Sequence, residues 1–228
     1  MKIPDIVIAV DGYSSTGKSS FAKLLAKELG FLYLDSGALY RAVTLFAQNK
    51  GLIRMNNTVS GIFRKELDSL DVSFDREGRT CIDSVVVENQ IRTMTVSSQV
   101  SPVAALPYVR EFVDRRLHEM AKEGRVVMDG RDIGTTVFPD AGLKIFMTAS
   151  FEARAGRRFK ELEAKGLNVD IEEVKKNLQE RDYIDSHRET SPLTRAVDSF
   201  LLDNSDMTIE QEILWTKGVL QGKFSILD

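Results

Sequence analysis

Short runs of apolar residues punctuate an otherwise mixed chain, at 6–10, 31–34, 126–128, 143–147 and 200–202. Each is too short for a helix and lacks the alternation of a half-buried strand. Each therefore predicts a strand covered on both faces, as central parallel strands are. Between them the pattern turns to helical period. Phe21, Leu24, Leu25 and Leu29 share one face, Lys23, Lys27 and Glu28 lie elsewhere, and Gly30 supplies a stop. A second helix is expected from about Ser36, with Leu39, Val43 and Phe46 inward. A third starts at Pro107, a favourable first helical position, and carries Val109, Phe112, Val113, Leu117 and Met120; a last covers roughly 208–220. Strand and helix alternating in this way predict an α/β fold, a five-stranded parallel sheet flanked by helices on both faces.

Two stretches interrupt the alternation. Residues 56–100 are too many for a crossover and contain alternating segments, 71–74 and 80–86, around Asp75-Arg76-Glu77-Gly78. That pattern predicts a hairpin inserted between the second and third core strands. Residues 150–191 are rich in Arg, Lys and Glu and predict charged helices projecting from the core. The expected organisation is thus a core of 1–55, 101–149 and 192–228, an insertion over 56–100 and an excursion over 150–191. No repeat or low-complexity tract interrupts it.

Composition narrows the partners. At 228 residues, 43% hydrophobic and 29% charged, the chain suits one core domain with excursions. A net charge of −3 gives no global basic field for nucleic acid or an anionic membrane, so any polyanion must meet local Arg and Lys clusters. Cys81 is the only cysteine and His118 and His187 the only histidines, which argues against disulfides and against a caged transition metal. The first apolar run ends at Asp11, far too short to span a bilayer, and no small-residue cleavage site follows it. The expected setting is reducing and cytoplasmic, without a membrane partner.

Gly12-Tyr13-Ser14-Ser15-Thr16-Gly17-Lys18-Ser19, followed by Ser20, fits G-x-x-x-x-G-K-[ST] between the first strand and the first helix. Successive backbone N–H groups curl round an anion there, and the helix N-terminus adds its positive end. Gly12 and Gly17 permit backbone that side chains obstruct. In such a loop Lys18 reaches the β- and γ-phosphates of a nucleotide and the Ser19 hydroxyl ligates Mg²⁺. A chance Gly/Ser-rich turn is the rival, and the strand before and helix after count against it. A GTPase would need Asn-Lys-x-Asp after a later strand, whereas Asn49-Lys50 runs on into Gly51-Leu52. A motor ATPase would need a longer chain or a ring. A small kinase fits best.

An acceptor should then lie beyond the carboxyl ends of the strands. After the second strand comes Asp35-Ser36-Gly37-Ala38-Leu39-Tyr40-Arg41, and after the third Asp129-Gly130-Arg131-Asp132-Ile133-Gly134-Thr135. Arg41 and Arg131 are candidates for a bidentate clamp on an acceptor phosphate. Asp129 ends an apolar run, the position of a carboxylate that holds Mg²⁺ through water or orients Lys18. The rival reading caps a turn with Asp129 and pairs it with Arg131.

These stretches, together with Val137-Phe138-Pro139-Asp140-Ala141 and Glu180-Arg181-Asp182-Tyr183-Ile184-Asp185-Ser186-His187-Arg188, make the chain resemble bacterial cytidylate kinases over nearly its whole length. The resemblance implies transfer of the γ-phosphoryl group of Mg-ATP to CMP or dCMP by a monomer, with 56–100 as a monophosphate-binding subdomain and 150–191 as a lid. It implies that Ser101, Arg110 and Asp132 read cytosine, that Arg41, Arg131 and Arg188 hold the acceptor phosphate, and that Arg181 and Asp185, with Ser36 nearby, contact the sugar. Arg157 and Arg158 match the lid arginines that meet the ATP phosphates. Lys18, Arg131 and Arg188 would carry the transfer. The chain departs from the family where Tyr13 and Ser15 stand in place of Pro and Gly.

Plainer readings stand beside these roles. Arg110 could pair with Asp114 one helical turn on, Ser101 could be a loop residue before Pro102, and Arg181, Asp185 and Arg188 could form a solvated ladder on one helix face. A kinase for UMP, AMP or shikimate is the nearest rival enzyme, though shikimate kinases usually lack the long insertion. A nucleotide-binding regulatory module is the rival from another class, and the arginines after the strand ends weigh against it.

Overall fold

A computed structural model describes residues 3–54, 59–75 and 77–225. Asn56, where the insertion is expected to begin, lies outside the described residues, as do Arg76 of the expected hairpin turn and the chain ends of the expected core segments. In order the elements are β1 (Val7–Gly12), α1 (Lys18–Leu29), β2 (Leu32–Asp35), α2 (Ser36–Asn49), the single turn α3 (Phe63–Glu66), β3 (Val72–Phe74), β4 (Thr80–Ile82) and β5 (Val85–Val86). Then come α4 (Met94–Ala104), α5 (Pro107–Met120), β6 (Val126–Gly130), β7 (Leu143–Thr148), α6 (Phe151–Ala164), α7 (Ile171–His187), β8 (Phe200–Asp203) and α8 (Ile209–Phe224). The chain divides into two compact units, Met1–Tyr33 with Glu123–His187 and Ser191–Asp228, and Leu34–Lys122 with Arg188–Thr190.

The first unit is built on a five-stranded parallel sheet of order β2-β6-β1-β7-β8. Each expected strand is present within two residues of its apolar run. The middle strands are buried as expected, Ile8, Val10, Val127, Ile145 and Met147 being almost wholly covered. The outer ones are not: Leu32 on β2 and Phe200 and Leu201 on β8, the two edge strands, are exposed. Phe21, Ala22 and Leu25 of α1 pack on β1 and β6. Gly30 closes α1 at φ 65°, its N–H reaching the Ala26 and Lys27 carbonyls, while Phe31 N–H returns to Ala26 at 2.8 Å. The register sets Val10 beside Asp129 and Asp11 beside Gly130, so β1 and β6 end their runs side by side. α6 and α7 share a small core of their own, Ala155, Leu162, Val174 and Leu178 with Phe151 and Phe159 against it.

In the second unit α2 starts where Asp35 accepts the Ala38 N–H at 2.9 Å, a side-chain cap. Leu39, Val43 and Phe46 are buried. The expected hairpin exists as β3 and β4, its turn closed by the Asp75 carboxylate on the Glu77 and Arg79 amides. The second segment does not run straight to Val86. Asp83 and Ser84, both at positive φ, turn it back so that β5 pairs with β4, giving three antiparallel strands. α4 was not expected, because Pro102 removes an N–H and disfavours helix before it. Its apolar face, Val96, Val100 and Val103, is buried and overrides that penalty. Ser101 is therefore a buried helical residue and not a loop residue.

Candidate active site

The loop between β1 and α1 has the backbone its glycines allow. Gly12 sits at φ 149° and Gly17 at φ 91°. A Cβ on Gly12 would fall 2.0 Å from the Met147 carbonyl oxygen, so only glycine lets β1 lie this close to β7 as the loop begins. Ser15 also takes positive φ, at 60°. Lys18 lies along the loop, its ammonium donating to the Tyr13 carbonyl and, at 3.3 Å, to Thr16 Oγ1. Burial, and then the nearby Arg131, drive the Lys18 pKa well below its ordinary value.

Ser19 and Asp129 are brought together: the Ser19 hydroxyl donates to Asp129 Oδ2 at 2.8 Å, and the Tyr33 hydroxyl donates to Oδ1 at 2.8 Å. Arg131 donates through Nε to Asp185 at 2.8 Å and through a terminal nitrogen to Ser14 Oγ at 3.1 Å. Its carboxylate partner here is thus Asp185, on α7. Opposed by burial, the Asp185 and Asp129 charges raise the Arg131 pKa. Asp132 is buried in the turn after β6, where its carbonyl accepts the Thr136 and Val137 N–H groups. Arg157 donates to the Thr16 carbonyl at 3.2 Å and to the side chain and backbone of Asn204. Arg158, one residue on, donates instead to Glu161 on its own helix. Arg181 is half-buried on α7.

The remaining candidates belong to the second unit. Ser36 opens α2 and is buried. Arg41 lies 3.7 Å from Asp35, which also takes Arg92 at 2.9 Å, and Arg92 in turn meets Glu88. Arg110 on α5 is only 2% exposed; it donates to the Ala104 carbonyl at 3.3 Å and lies 5.3 Å from the Tyr40 ring centre. α7 ends at His187, so Arg188 lies beyond the helix and cannot share a helical face with Arg181 and Asp185. His187 is exposed and stacks on Tyr183.

Four side chains at the loop escaped the sequence reading. Asp11 is buried and accepts the Ile133 and Gly134 N–H groups at 2.8 and 2.7 Å, tying the turn after β6 to β1. Burial outweighs those bonds and pushes its pKa up to about 6. A charge closing a wholly apolar run was its signal in the sequence. Arg154 donates to the Ser14 carbonyl and to Asp182, and Asp182 accepts the Ser14 N–H at 3.2 Å, so α6 and α7 grip the loop at one residue, through the peptides on either side of it. Tyr13 takes its place there, edge-on to Phe146 and 5.3 Å beneath the Arg154 guanidinium. Asn204, just past β8, donates to the Thr16 carbonyl at 2.8 Å. Nothing in the local sequence marks Arg154 or Asn204 out, and Asp182, although it lies in the 180–188 stretch, has no expected role there.

In chemical terms the first unit offers a glycine-bounded loop at a helix start, an ammonium, the guanidiniums of Arg131, Arg154 and Arg157, and a paired hydroxyl and carboxylate. That set suits a polyphosphate with a hard divalent cation. Among the described residues no helix is long and apolar enough to cross a membrane.

Comparison with known proteins agrees. The cytidylate kinase family model matches residues 8–215. A cytidylate kinase of Bacteroides thetaiotaomicron is 52% identical over 215 residues, covering 92% of this chain and 94% of the relative. That of Parabacteroides distasonis is 51% identical over the same length and coverage. A solved structure of an uncharacterized protein from Eubacterium ventriosum superposes with a TM-score of 0.51 at 13% identity, covering 96% of this chain and 99% of that one. At that identity the likeness is one of fold.

Proposed function

Because the chain belongs to the cytidylate kinase family, and so transfers a phosphoryl group from ATP to CMP, we propose that its glycine loop is the donor site and that Arg131 stands between donor and acceptor. The observation that carries this assignment is the reach of Arg131 to Ser14 of the loop on one side and Asp185 on the other. A second cation beside the loop's own lysine is what a two-phosphate site needs and a simple nucleotide sensor does not.

In this reading residues 12–20 cradle ATP, Lys18 meets the β- and γ-phosphates, and Arg157 adds charge from α6. Ser19 and Asp129 are hard oxygen donors already 2.8 Å apart, a fit for Mg²⁺, which takes one or two protein oxygens and fills the rest with water and phosphate. Bound there, the ion would neutralise charge on the phosphates. An oxygen of the CMP phosphate attacks the γ-phosphorus in line. The bond from that phosphorus to the β,γ-bridging oxygen breaks, and ADP leaves with the electron pair. Lys18, Arg131 and Arg188 spread the charge that develops; no strong base is required.

The acceptor roles extend the proposal. Arg41, Arg131 and Arg188 take the acceptor phosphate; Arg181, Asp185 and Ser36 serve the sugar. Ser101, Arg110 and Asp132 read cytosine, with Asp132 accepting from the exocyclic amine. UMP presents a carbonyl there, which sets an acceptor against an acceptor. dCMP is accepted alongside CMP. Residues 56–100 serve as the monophosphate-binding part and 150–191 as a lid, the shared core of α6 and α7 letting the two helices move as one piece to exclude water. Residues 1–55, 101–149 and 192–228 form the core. The proposal is of a cytoplasmic monomer that engages neither nucleic acid nor membrane.

A coupled ADP-release assay with a panel of monophosphates tests the reading. Turnover is expected with CMP and dCMP and little with AMP or GMP; no stimulation by any monophosphate would overturn it. Arg188→Ala should lower CMP turnover, and unchanged turnover would remove that residue from the clamp.

A further inference from the structure

α8 carries a charge on its inward face. Glu212 is 5% exposed, in line with the buried Ile213, Thr216 and Leu220. A carboxylate in such a position is costly unless it is hydrogen-bonded, and an apolar residue would fill the space more cheaply. The Glu212 side chain is held by Asn204, whose Nδ2 donates to Oε1 at 2.7 Å. Asn204 is itself only 1% exposed.

An asparagine amide can be turned either way, and its neighbours decide which end faces which partner. Two acceptors surround the NH₂ group here, Glu212 Oε1 at 2.7 Å and the Thr16 carbonyl at 2.8 Å. Both of its hydrogens are therefore used, and Oδ1 is left to face Arg157, which donates to it at 3.0 Å. With the amide reversed, an NH₂ group would meet the guanidinium, donor against donor. Burial pushes the Glu212 pKa up, while the Asn204 hydrogen bond and the Arg157 charge pull it back. Even protonated it keeps one acceptor oxygen for the amide.

We propose that Glu212 and Asn204 are positioning residues for the donor site: Glu212 fixes the orientation of the Asn204 amide, and the amide fixes Arg157 and the Thr16–Gly17 peptide of the phosphate loop. The peptide is planar, so holding the Thr16 carbonyl sets the direction of the Gly17 N–H, one of the amides the loop turns toward an anion. Arg157 donates to that same carbonyl at 3.2 Å, so loop and arginine are set by one side chain. Asn204 is anchored in turn through its own N–H to the Thr148 carbonyl at the end of β7. This inference rests on the proposed role of Arg157 at the ATP phosphates.

The test is steady-state kinetics on Glu212→Met, which fills the same space without an acceptor oxygen, with Glu212→Leu as a second variant should the first fold poorly. Glu212→Gln keeps an acceptor and serves as the conservative rescue. Loss of one charge-assisted bond should raise KM for ATP about tenfold and leave KM for CMP within about twofold. Glu212→Gln should recover most of the loss. In an Arg157→Ala background the same methionine substitution should have a smaller effect than in the wild type, the remainder being what the Thr16–Gly17 peptide carries. The inference is overturned if both KM values rise together, if the glutamine variant is no better than the methionine one, or if the effect persists undiminished without Arg157. If Arg157→Ala alone leaves KM for ATP unchanged, the role of Arg157 fails and this inference with it. If Arg157→Ala raises KM and Glu212→Met does not, the inference alone fails.

Discussion

Asp11 and Asp35 lie near or at the ends of parallel strands, and both are almost fully buried, 5% and 6% exposed. Their chemistry differs in sign. Asp11, in the first unit, is held by two backbone N–H groups, and burial lifts its pKa to about 6. For Asp35, in the second unit, burial pushes the same way, but Arg41 and Arg92 overcome it and hold the carboxyl below its ordinary range. At Asp11 two backbone N–H bonds favour the ionised form but do not offset burial, whereas at Asp35 two guanidiniums do. The contrast is between the two carboxylates: Asp11 is tied by backbone amides, although the ion pairs of Arg131 with Asp185 and of Arg154 with Asp182 flank the same loop, and Asp35 is tied by two guanidiniums.

The largest break in the comparison comes from removing the charge nearest the loop. Lys18→Met should cut kcat about 10²- to 10³-fold, the scale of losing one preorganised donor to developing charge. Lys18 also pulls the Asp11 pKa down, so the variant should raise it further. Carboxyl NMR titration and the coupled assay read the two effects. A wild-type Asp11 titration in this variant would sink the link between them.

Asp11 also gives a pH dependence whose sign follows from its upward shift. Below about 3.8 the folded and unfolded chains both hold the proton, and the contribution is complete. Between there and about 6 only the folded protein keeps it, so each rising pH unit removes about 1.4 kcal/mol, about 3 kcal/mol in all, and above 6 the loss is complete. Urea unfolding of wild type and Asp11→Asn from pH 4 to 7 isolates this term. The wild type's stability relative to the variant should fall across that window; a constant difference would contradict the assignment.

Asp35 should behave oppositely. Its depressed pKa contributes stability that is present above the unfolded carboxylate value near 3.8 and lost as pH falls through the lower folded one. Arg92→Ala removes the closer guanidinium, at 2.9 Å, and leaves Arg41 at 3.7 Å. Since the Arg92 side chain is 38% exposed, the cost at neutral pH should be about 1–2 kcal/mol, less than for a fully buried pair. The acid-unfolding midpoint followed by circular dichroism should move to higher pH. An unmoved midpoint would mean that Arg41 alone suffices.

What could be read in advance divides along the same line. The five strands were legible because each apolar run admits one role, and the phosphate loop because its backbone needs glycines at fixed neighbouring positions. α4 was hidden by Pro102, whose local penalty burial of Val96, Val100 and Val103 overrides. Arg154, Asp182 and Asn204 were hidden for another reason. Asn204 acts on Thr16 across 188 residues of sequence, and Arg154 on Ser14 across 140, so no local pattern marks either pairing. Arg131 was expected beyond the strand ends, clamping an acceptor phosphate or paired with Asp129; it reaches Ser14 of the loop, and its carboxylate comes from α7 and not from Asp129 two residues away.

Arg157 and Arg158 carry the distinction to its smallest scale, two neighbouring arginines with the same expected role. Arg157 reaches a backbone carbonyl of the loop, whereas Arg158 donates to Glu161 one turn on, a carboxylate that also takes Lys165. The Glu161 side chain is 47% exposed, so the Arg158 pair is screened by water and worth only about 0.2–0.5 kcal/mol. The Glu161 contact draws the Arg158 guanidinium along its own helix, and Lys165 remains to hold the carboxylate if Arg158 turns to a phosphate. Arg158→Ala should therefore lower the melting temperature by no more than about 1–2 °C. Its effect on KM for ATP should stay below that of Arg157→Ala measured in the same assay. If the two variants raise that KM equally, the Glu161 contact is no guide to function, and Arg158 joins Arg157 at the donor phosphates.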